Sequence, residues 1–189
     1  FGVSESDVNK DQRYLGKKAV HAAQRGMQGK TLSEALLKDG YSVHPTRCQK
    51  MIDRYLDKNW EIKEYYFKRV QSDFTRNGYL RNTWGRENRF DNEVSMGRLN
   101  AEVLNKLYSF LPQSECSDNL NQNGFIPGTW WMVGNCGRPL SLQVHDEVIA
   151  SIEPEKAYDY AKFIVERLEQ PRYYDGAELI VPAEVTVGM

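Results

Sequence analysis

Cysteine is scarce in this 189-residue chain: three residues, Cys48, Cys116 and Cys136, with no CxxC pair and no histidine doublet beside them. That excludes a disulfide framework and the usual zinc ribbons and fingers, and predicts buried structural thiols in a reducing compartment, the cytoplasm, or the host cytoplasm for a viral protein. Long apolar runs are missing too. Nothing approaches the roughly 18 residues of a membrane-spanning helix, so no membrane partner is expected. A signal peptide is absent, and Phe1 rather than Met opens the chain, which reads as part of a longer protein. There is no internal repeat and no low-complexity tract. Net charge is also nearly absent, 25 Lys+Arg against 26 Asp+Glu, and by itself this points away from nucleic acid.

What is present is distributed unevenly. Residues 1–89 carry 18 Lys+Arg and 11 Asp+Glu, a balance of +7, whereas residues 90–189 carry 7 and 15, a balance of −8. A basic half followed by an acidic half suggests a polyanion gripped at one end and cations, such as metal ions, held at the other. With 40% hydrophobic and 12% aromatic residues there is material for a packed core.

The pattern predicts a helix start at Ser4–Asp7 and a helix from Asp11 to a glycine cap at Gly26. Thr31 to Glu34 reads as a capping box opening a short helix that ends near Gly40. A long helix is expected from Pro45 to about Asn77, then a turn at Asn77-Gly78 and a strand over Tyr79–Trp84. Helix resumes over about Ser95–Leu120. Residues 121–139, with four glycines, two prolines and two tryptophans, read as a loop or irregular hairpin. Leu140 to Ile152 is a β-hairpin with His145-Asp146-Glu147 at its bend, followed by an amphipathic helix over Pro154–Gln170 and a last strand over Leu179–Val187. Helices first and strands later make this α+β.

Two constellations can carry chemistry. Arg13, Lys17, His21 and Arg25 recur every four residues, so on a helix they form one stripe of cationic or titratable groups. Such a stripe is a solvated face or a phosphate site, with arginine as a bidentate fork and lysine as a point charge. Gly29-Lys30-Thr31 imitates the end of a phosphate-binding loop, but the glycine that GxxxxGK[ST] requires at position 24 is Gln24, and helix rather than strand precedes it. The second constellation is Gln143-Val-His-Asp-Glu147, where a bend lets two adjacent carboxylates reach one locality. Leu140, Leu142, Val144, Val148 and Ile149 are expected to bury that bend, and ionised acids in such a place need cations. A polyphosphate-binding helix with a metal-binding carboxylate hairpin is the equipment of two-metal phosphoryl or nucleotidyl transfer.

The same residues resemble family A DNA polymerases. Arg13, Lys17 and His21, each four apart, with Arg25-Gly26 at the end, are similar to the family's fingers helix. Gln143-Val-His-Asp-Glu-Val148 resembles its last palm motif. Gly78-Tyr-Leu-Arg-Asn-Thr-Trp-Gly-Arg86, Leu111-Pro-Gln-Ser114 and Val181-Pro-x-x-Val185-x-Val-Gly188 resemble three further family segments, in the right order. The resemblance implies a mostly helical fingers subdomain over 1–85 and a palm subdomain over 86–189 whose antiparallel β-hairpin carries the acidic motif. It implies that Arg13 and Lys17 hold the incoming deoxynucleoside triphosphate, with His21 against its sugar and base and Arg25 beside them. It makes Asp146 and Glu147 the catalytic, metal-binding carboxylates for two Mg²⁺ ions. Gln143 and His145 would lie near the primer terminus, Gln113 in the minor groove and Arg86 near the backbone of the primer-template DNA. Arg25 stands where the family usually has Tyr, Gln24 where Asn is usual, and Ser109 where Asn is usual. The family's first palm motif, with the aspartate that bridges both metals, would precede Phe1, so the missing N-terminal part of the polymerase is an expected partner and the isolated chain is expected to be inactive. Two other readings stay open: a single-subunit RNA polymerase fragment, which usually carries Ser where Glu147 stands, and a catalytically silent nucleic-acid-binding fragment of a split polymerase.

Overall fold

A computed structural model describes residues 7–90, 99–139, 142–174 and 176–188. The chain forms two compact units, one built from residues 1–81 and 87–111, the other from residues 82–86 and 112–189. Residues 85 and 86, where the sequence places the subdomain boundary, both fall in the short segment that groups with the second unit.

In the first unit, α1 (Lys10–Gln24) starts at Asn9, whose side chain accepts from the Gln12 amide (2.8 Å) while Gln12 Oε1 accepts from the Asn9 amide (3.0 Å). Of the helix start expected at Ser4–Asp7, Ser4 to Ser6 lie outside the described residues. Gly26 closes α1 with φ 68°, and the amides of Gly26 and Met27 donate back to Ala23 and Ala22. This is a glycine-terminated helix end with both orphan carbonyls satisfied. The second helix, α2 (Gly29–Lys38), begins two residues before the expected capping box, and Gln28 caps it without a side-chain bond. Gly29 explains the shift. A Cβ there would sit 2.5 Å from the Pro45 carbonyl oxygen, so glycine lets α2 start in direct contact with α3 (Pro45–Lys58), and the glycine belongs to helix packing rather than to a phosphate loop. Ala19, Ala22 and Ala23 of α1, Leu32 and Leu36 of α2, and Cys48, Ile52 and Leu56 of α3 make one buried cluster.

The long helix expected over Pro45–Asn77 is broken. Asn59 Nδ2 donates to the Tyr55 carbonyl (2.8 Å), competing with the helical ladder and ending α3. The chain resumes as a π-helical stretch (Ile62–Phe67) and α4 (Lys68–Asn77), which stops at Gly78 with φ 73°. The expected strand shrinks to β1 (Leu80–Arg81), paired antiparallel with β2 (Glu87–Asn88), because Asn82 turns the chain by accepting from the amides of Trp84 and Arg86. The last helix of this unit is the first part of α5 (Ala101–Asn119); residues 95–98, also expected to be helical, lie outside the described residues. Phe67, Val70, Phe74, Phe90, Leu107 and Tyr108 pack a second buried cluster, with the Phe67 and Tyr108 rings stacked at 3.9 Å. Pro112 sits inside α5 and has no amide to give the Tyr108 carbonyl four residues back. The Tyr66 hydroxyl takes that place, donating to the same carbonyl at 2.6 Å.

In the second unit, the segment expected to be a loop is helical: a π-helical stretch (Leu120–Phe125) leads into α6 (Ile126–Cys136). Pro127 stands in the first turn of α6 and Gly137, with φ 68°, caps it. Gly124 is buried where a Cβ would lie 2.9 Å from Leu168 Cδ2. The hairpin β3 (Leu142–Val144) and β4 (Glu147–Ile149) forms as expected, and α7 (Pro154–Leu168) covers it on one side through a core of Met132, Tyr160 and Ile164 with Val148 against them. The last strand is not the one expected. β5 (Arg172–Tyr174) pairs with β6 (Ala177–Leu179), and residues 180–188 have no regular structure. Of the cysteines only Cys48 is buried; Cys136 is half-buried and Cys116 exposed, so the expectation of three buried thiols holds for one.

Candidate active site

The candidate residues fall into two groups, described unit by unit. On α1, Arg13, Lys17 and His21 are exposed along one side, and Arg25 is half-exposed at the helix end. Lys18, one residue off the stripe, is occupied: it pairs with Asp39 at 2.9 Å, and the Tyr14 hydroxyl donates to the same carboxylate at 2.7 Å. Arg13, Lys17 and Arg25 have no carboxylate partner among the described residues. Partial desolvation holds the His21 imidazole below its ordinary pKa, and the charges of Arg25, Lys17 and Lys18 push it the same way. The stripe is therefore cations around a ring whose protonation they disfavour, and the uncharged ring can stack or accept a hydrogen bond without adding to the repulsion.

Sequence spacing alone misses the residues that set this stripe in place. The end of α1 rests on α5. A Cβ on Gly26 would lie 2.8 Å from the Tyr108 ring, and the Asn105 amide donates to the carbonyls of Arg25 (2.9 Å) and Gly26 (3.1 Å). The glycine at 26 was legible as a cap; the two residues on α5 that hold it carry no local signal.

In the second unit, Leu142 pairs with Ile149, Gln143 with Val148 and Val144 with Glu147, leaving His145 and Asp146 as a two-residue turn. His145 takes φ 51°, the left-handed conformation a tight hairpin asks of its first turn residue and one that costs a non-glycine residue energy. The turn sets Asp146 and Glu147 side by side at the exposed tip. Here the burial expectation fails for most of the flanking residues: Leu142, Val144 and Ile149 are 52%, 37% and 46% exposed, Leu140 lies outside the described residues, and Val148 turns inward. Alternation explains it, since Leu142, Val144, Glu147 and Ile149 share one face of the two-stranded ribbon, and the core lies on the other, against Gln143 and Val148. Two carboxylates supply the hard oxygen donors that magnesium takes, but no group of three or more His, Cys, Asp or Glu among the described residues is placed to hold a metal ion. The donor chemistry fits; the donor count calls for oxygens from elsewhere.

Of the other expected site residues, Gln113 is exposed on α5, beyond Pro112, and Gln143 is half-buried on β3. Arg86 is tied down. Its Nε donates to both carboxylate oxygens of Asp118 (2.9 and 3.0 Å), its Nη2 reaches the same group, and Asn82 Nδ2 donates to Asp118 from the other side (2.7 Å). Asp118 is buried, and the Arg86 hydrogen bond outweighs desolvation to hold its carboxyl below the usual range. With Thr83 bonded to Glu115 through both its amide and its hydroxyl, this network fixes the Asn82–Arg86 segment on α5.

The model of DNA polymerase family A matches residues 1–189, the entire chain. The chain belongs to DNA polymerase family A. A thermostable DNA polymerase I from Thermus filiformis is 24% identical over 189 residues, all of this chain but 21% of that protein. The fold matches the POL domain of Pol1 from M. smegmatis, solved in complex with DNA primer-template and dNTP, at a TM-score of 0.75 and 19% identity, again over all of this chain but 31% of the other. The α+β architecture and the family resemblance seen in the sequence both hold. The chain thus spans under a third of the length of either family A relative.

Proposed function

We propose that this chain is the nucleotide-binding and carboxylate-bearing part of a template-directed DNA polymerase, which adds deoxynucleotides to a primer 3′ end. Residues 1–85 correspond in this reading to fingers and 86–189 to the C-terminal part of the palm. The observation that carries it is the α1 stripe, exposed cations without a carboxylate partner among the described residues on either side of His21, in a chain matched from end to end by this polymerase family. Arg13 grips a phosphate of the incoming deoxynucleoside triphosphate with its fork, and Lys17 adds a point charge. His21 packs its uncharged ring on the sugar or base, and Arg25 extends the positive field. Asp146 and Glu147 hold magnesium, together with carboxylates from the rest of the polymerase. Magnesium bound there supplies charge neutralisation for the reacting phosphate and lowers the pKa of the attacking hydroxyl. Gln143 and His145 position the primer terminus, Gln113 contacts the minor groove without reading sequence, and Arg86 lies by the primer-template backbone, its charge buffered by Asp118. Primer-template DNA, deoxynucleoside triphosphates and the remaining polymerase chain are the partners. No helix among the described residues is long and apolar enough to cross a membrane, and a cytoplasmic site of action, in the host cell for a viral source, fits the thiols.

In the complete polymerase, Lys17→Ala raises KM for nucleotide about tenfold, a loss of about 1.4 kcal/mol, and leaves the Kd for DNA nearly unchanged; the reverse pattern refutes the triphosphate role. A second reading is favoured by the donor count: alone, the chain is a nucleic-acid-binding piece without catalysis. Metal-dependent incorporation by the isolated chain would exclude it.

A further inference from the structure

A second cluster of exposed cations lies on α3. A groove of about 330 Å³ runs between α1 and α3, floored by Ala19 and Val20 of α1 and Met51 of α3 and rimmed by Arg47, Lys50 and Arg54. Gly16 keeps the α1 wall low, and Tyr55 stands at one end, its hydroxyl accepting from Gln24 at 3.2 Å. The three cations are exposed, and among the described residues none has a carboxylate partner, although α3 also carries Asp53 and Asp57. Asp53 is occupied by Gln49, which donates to it at 2.9 Å. Positions 47, 50 and 54 fall on one side of the helix and span about 10 Å of its axis, longer than a single phosphate and suited to a chain of them.

We infer that this groove is a binding track for single-stranded DNA, with phosphates along Arg47, Lys50 and Arg54 and a base or sugar on the apolar floor. The pairing of a cationic rim with an apolar and aromatic floor is what sequence-tolerant single-strand binding requires. A solvated charge face would need no such floor, and a small apolar ligand would need no such rim. The track shares no lining residue with the adjoining Arg13 and Lys17 stripe and does not rest on the triphosphate reading.

The test is the anisotropy of fluorescein-labelled oligothymidylate titrated with the full chain at several salt concentrations. Arg47→Gln/Arg54→Gln should weaken binding about tenfold and reduce the slope of log Kd against log salt by about 1.4, the share of two single-strand phosphate contacts. Arg13→Gln/Lys17→Gln should leave most of this binding in place, so failure of the triphosphate reading and failure of this one give different results. Lys30→Gln/Lys38→Gln on α2 removes the same charge away from the groove and should change little. The ¹³C-methyl signal of Met51 should shift on adding the oligonucleotide. Unchanged affinity in the Arg47/Arg54 variant, an equal loss in the α2 variant, or an unmoved Met51 methyl overturns the inference.

Discussion

The first unit exposes few of its large apolar side chains; the second exposes many more. Leu37, Trp60 and Tyr65 are the prominent exposed apolar residues of the first unit, whereas the second exposes Trp130, Val133, Tyr158, Tyr173 and Val187 and the outer face of its acidic hairpin. The difference teaches that the two halves of the proposed site rest on different physical support. The cationic stripe stands on a buried three-helix cluster of α1, α2 and α3, while the carboxylates stand at the tip of a two-stranded ribbon that meets its core through Val148 and, just beyond the second strand, Ala150 and Ile152. The first should tolerate change as an independent unit; the second should be sensitive to what it packs on.

Four measurements can break or sharpen that contrast. The largest effect is expected at the ribbon tip: Asp146→Ala in the complete polymerase should cut nucleotide incorporation by about 10³-fold, about 4 kcal/mol of transition-state stabilisation, with DNA affinity intact. Near-normal incorporation would remove the carboxylates from the site. Next, Asp118→Ala should destabilise the second unit by about 2 kcal/mol in urea unfolding, because it strands the buried Asn82 amide and strips Arg86 of its partner. Since the Asp118 carboxyl is held below its ordinary range, its stabilisation is fully present above that range and disappears as pH falls through the depressed value; Asp118→Ala should flatten that acid limb. An acid limb of unchanged size in the variant would shift the origin of the acid sensitivity elsewhere. Third, Gly26→Ala should cost the first unit about 1 to 2 kcal/mol, from the left-handed φ and the encounter with Tyr108; a neutral result would mean that α1 is not anchored on α5. The smallest effect is at His21. Its titration followed by NMR should show a pKa below the ordinary histidine value, so its protonation penalises folding only as pH falls below about 6.5. Inorganic triphosphate should raise that pKa, whereas no movement would argue against anion binding at the stripe.

Much of this was legible in the chain. Spacing of four put Arg13, Lys17 and His21 on one side of a helix, and the apolar flanks of the His145-Asp146-Glu147 bend predicted a hairpin over Leu140–Ile152, of which strands form at Leu142–Val144 and Glu147–Ile149, with Glu147 in the second strand rather than the turn. Legibility ended where a residue's reason lay far along the chain. Residues 121–139 look like a loop because their glycines and prolines are counted as breakers, yet Gly124 is small so that Leu168 fits and Pro127 stands where a helix needs no amide. Asn59 ended a helix whose periodicity ran on, its side-chain amide donating back to the Tyr55 carbonyl. Arg86 advertised a DNA contact and did not advertise Asp118, thirty-two residues on, which holds it. Apolar letters around Asp146 suggested burial, but alternation says only which residues share a face, not which face meets the core.

The corner at His145 has a consequence for variation at this position. Glycine would adopt φ 51° without strain and asparagine with little, while histidine carries a cost of about 1 kcal/mol there. The occupant that the backbone prefers and the occupant that is found are therefore different residues. Selection for thermal robustness alone would drift this corner toward glycine and erase the imidazole beside the two acids, so under the proposed function stability and activity would be set against each other at a single residue.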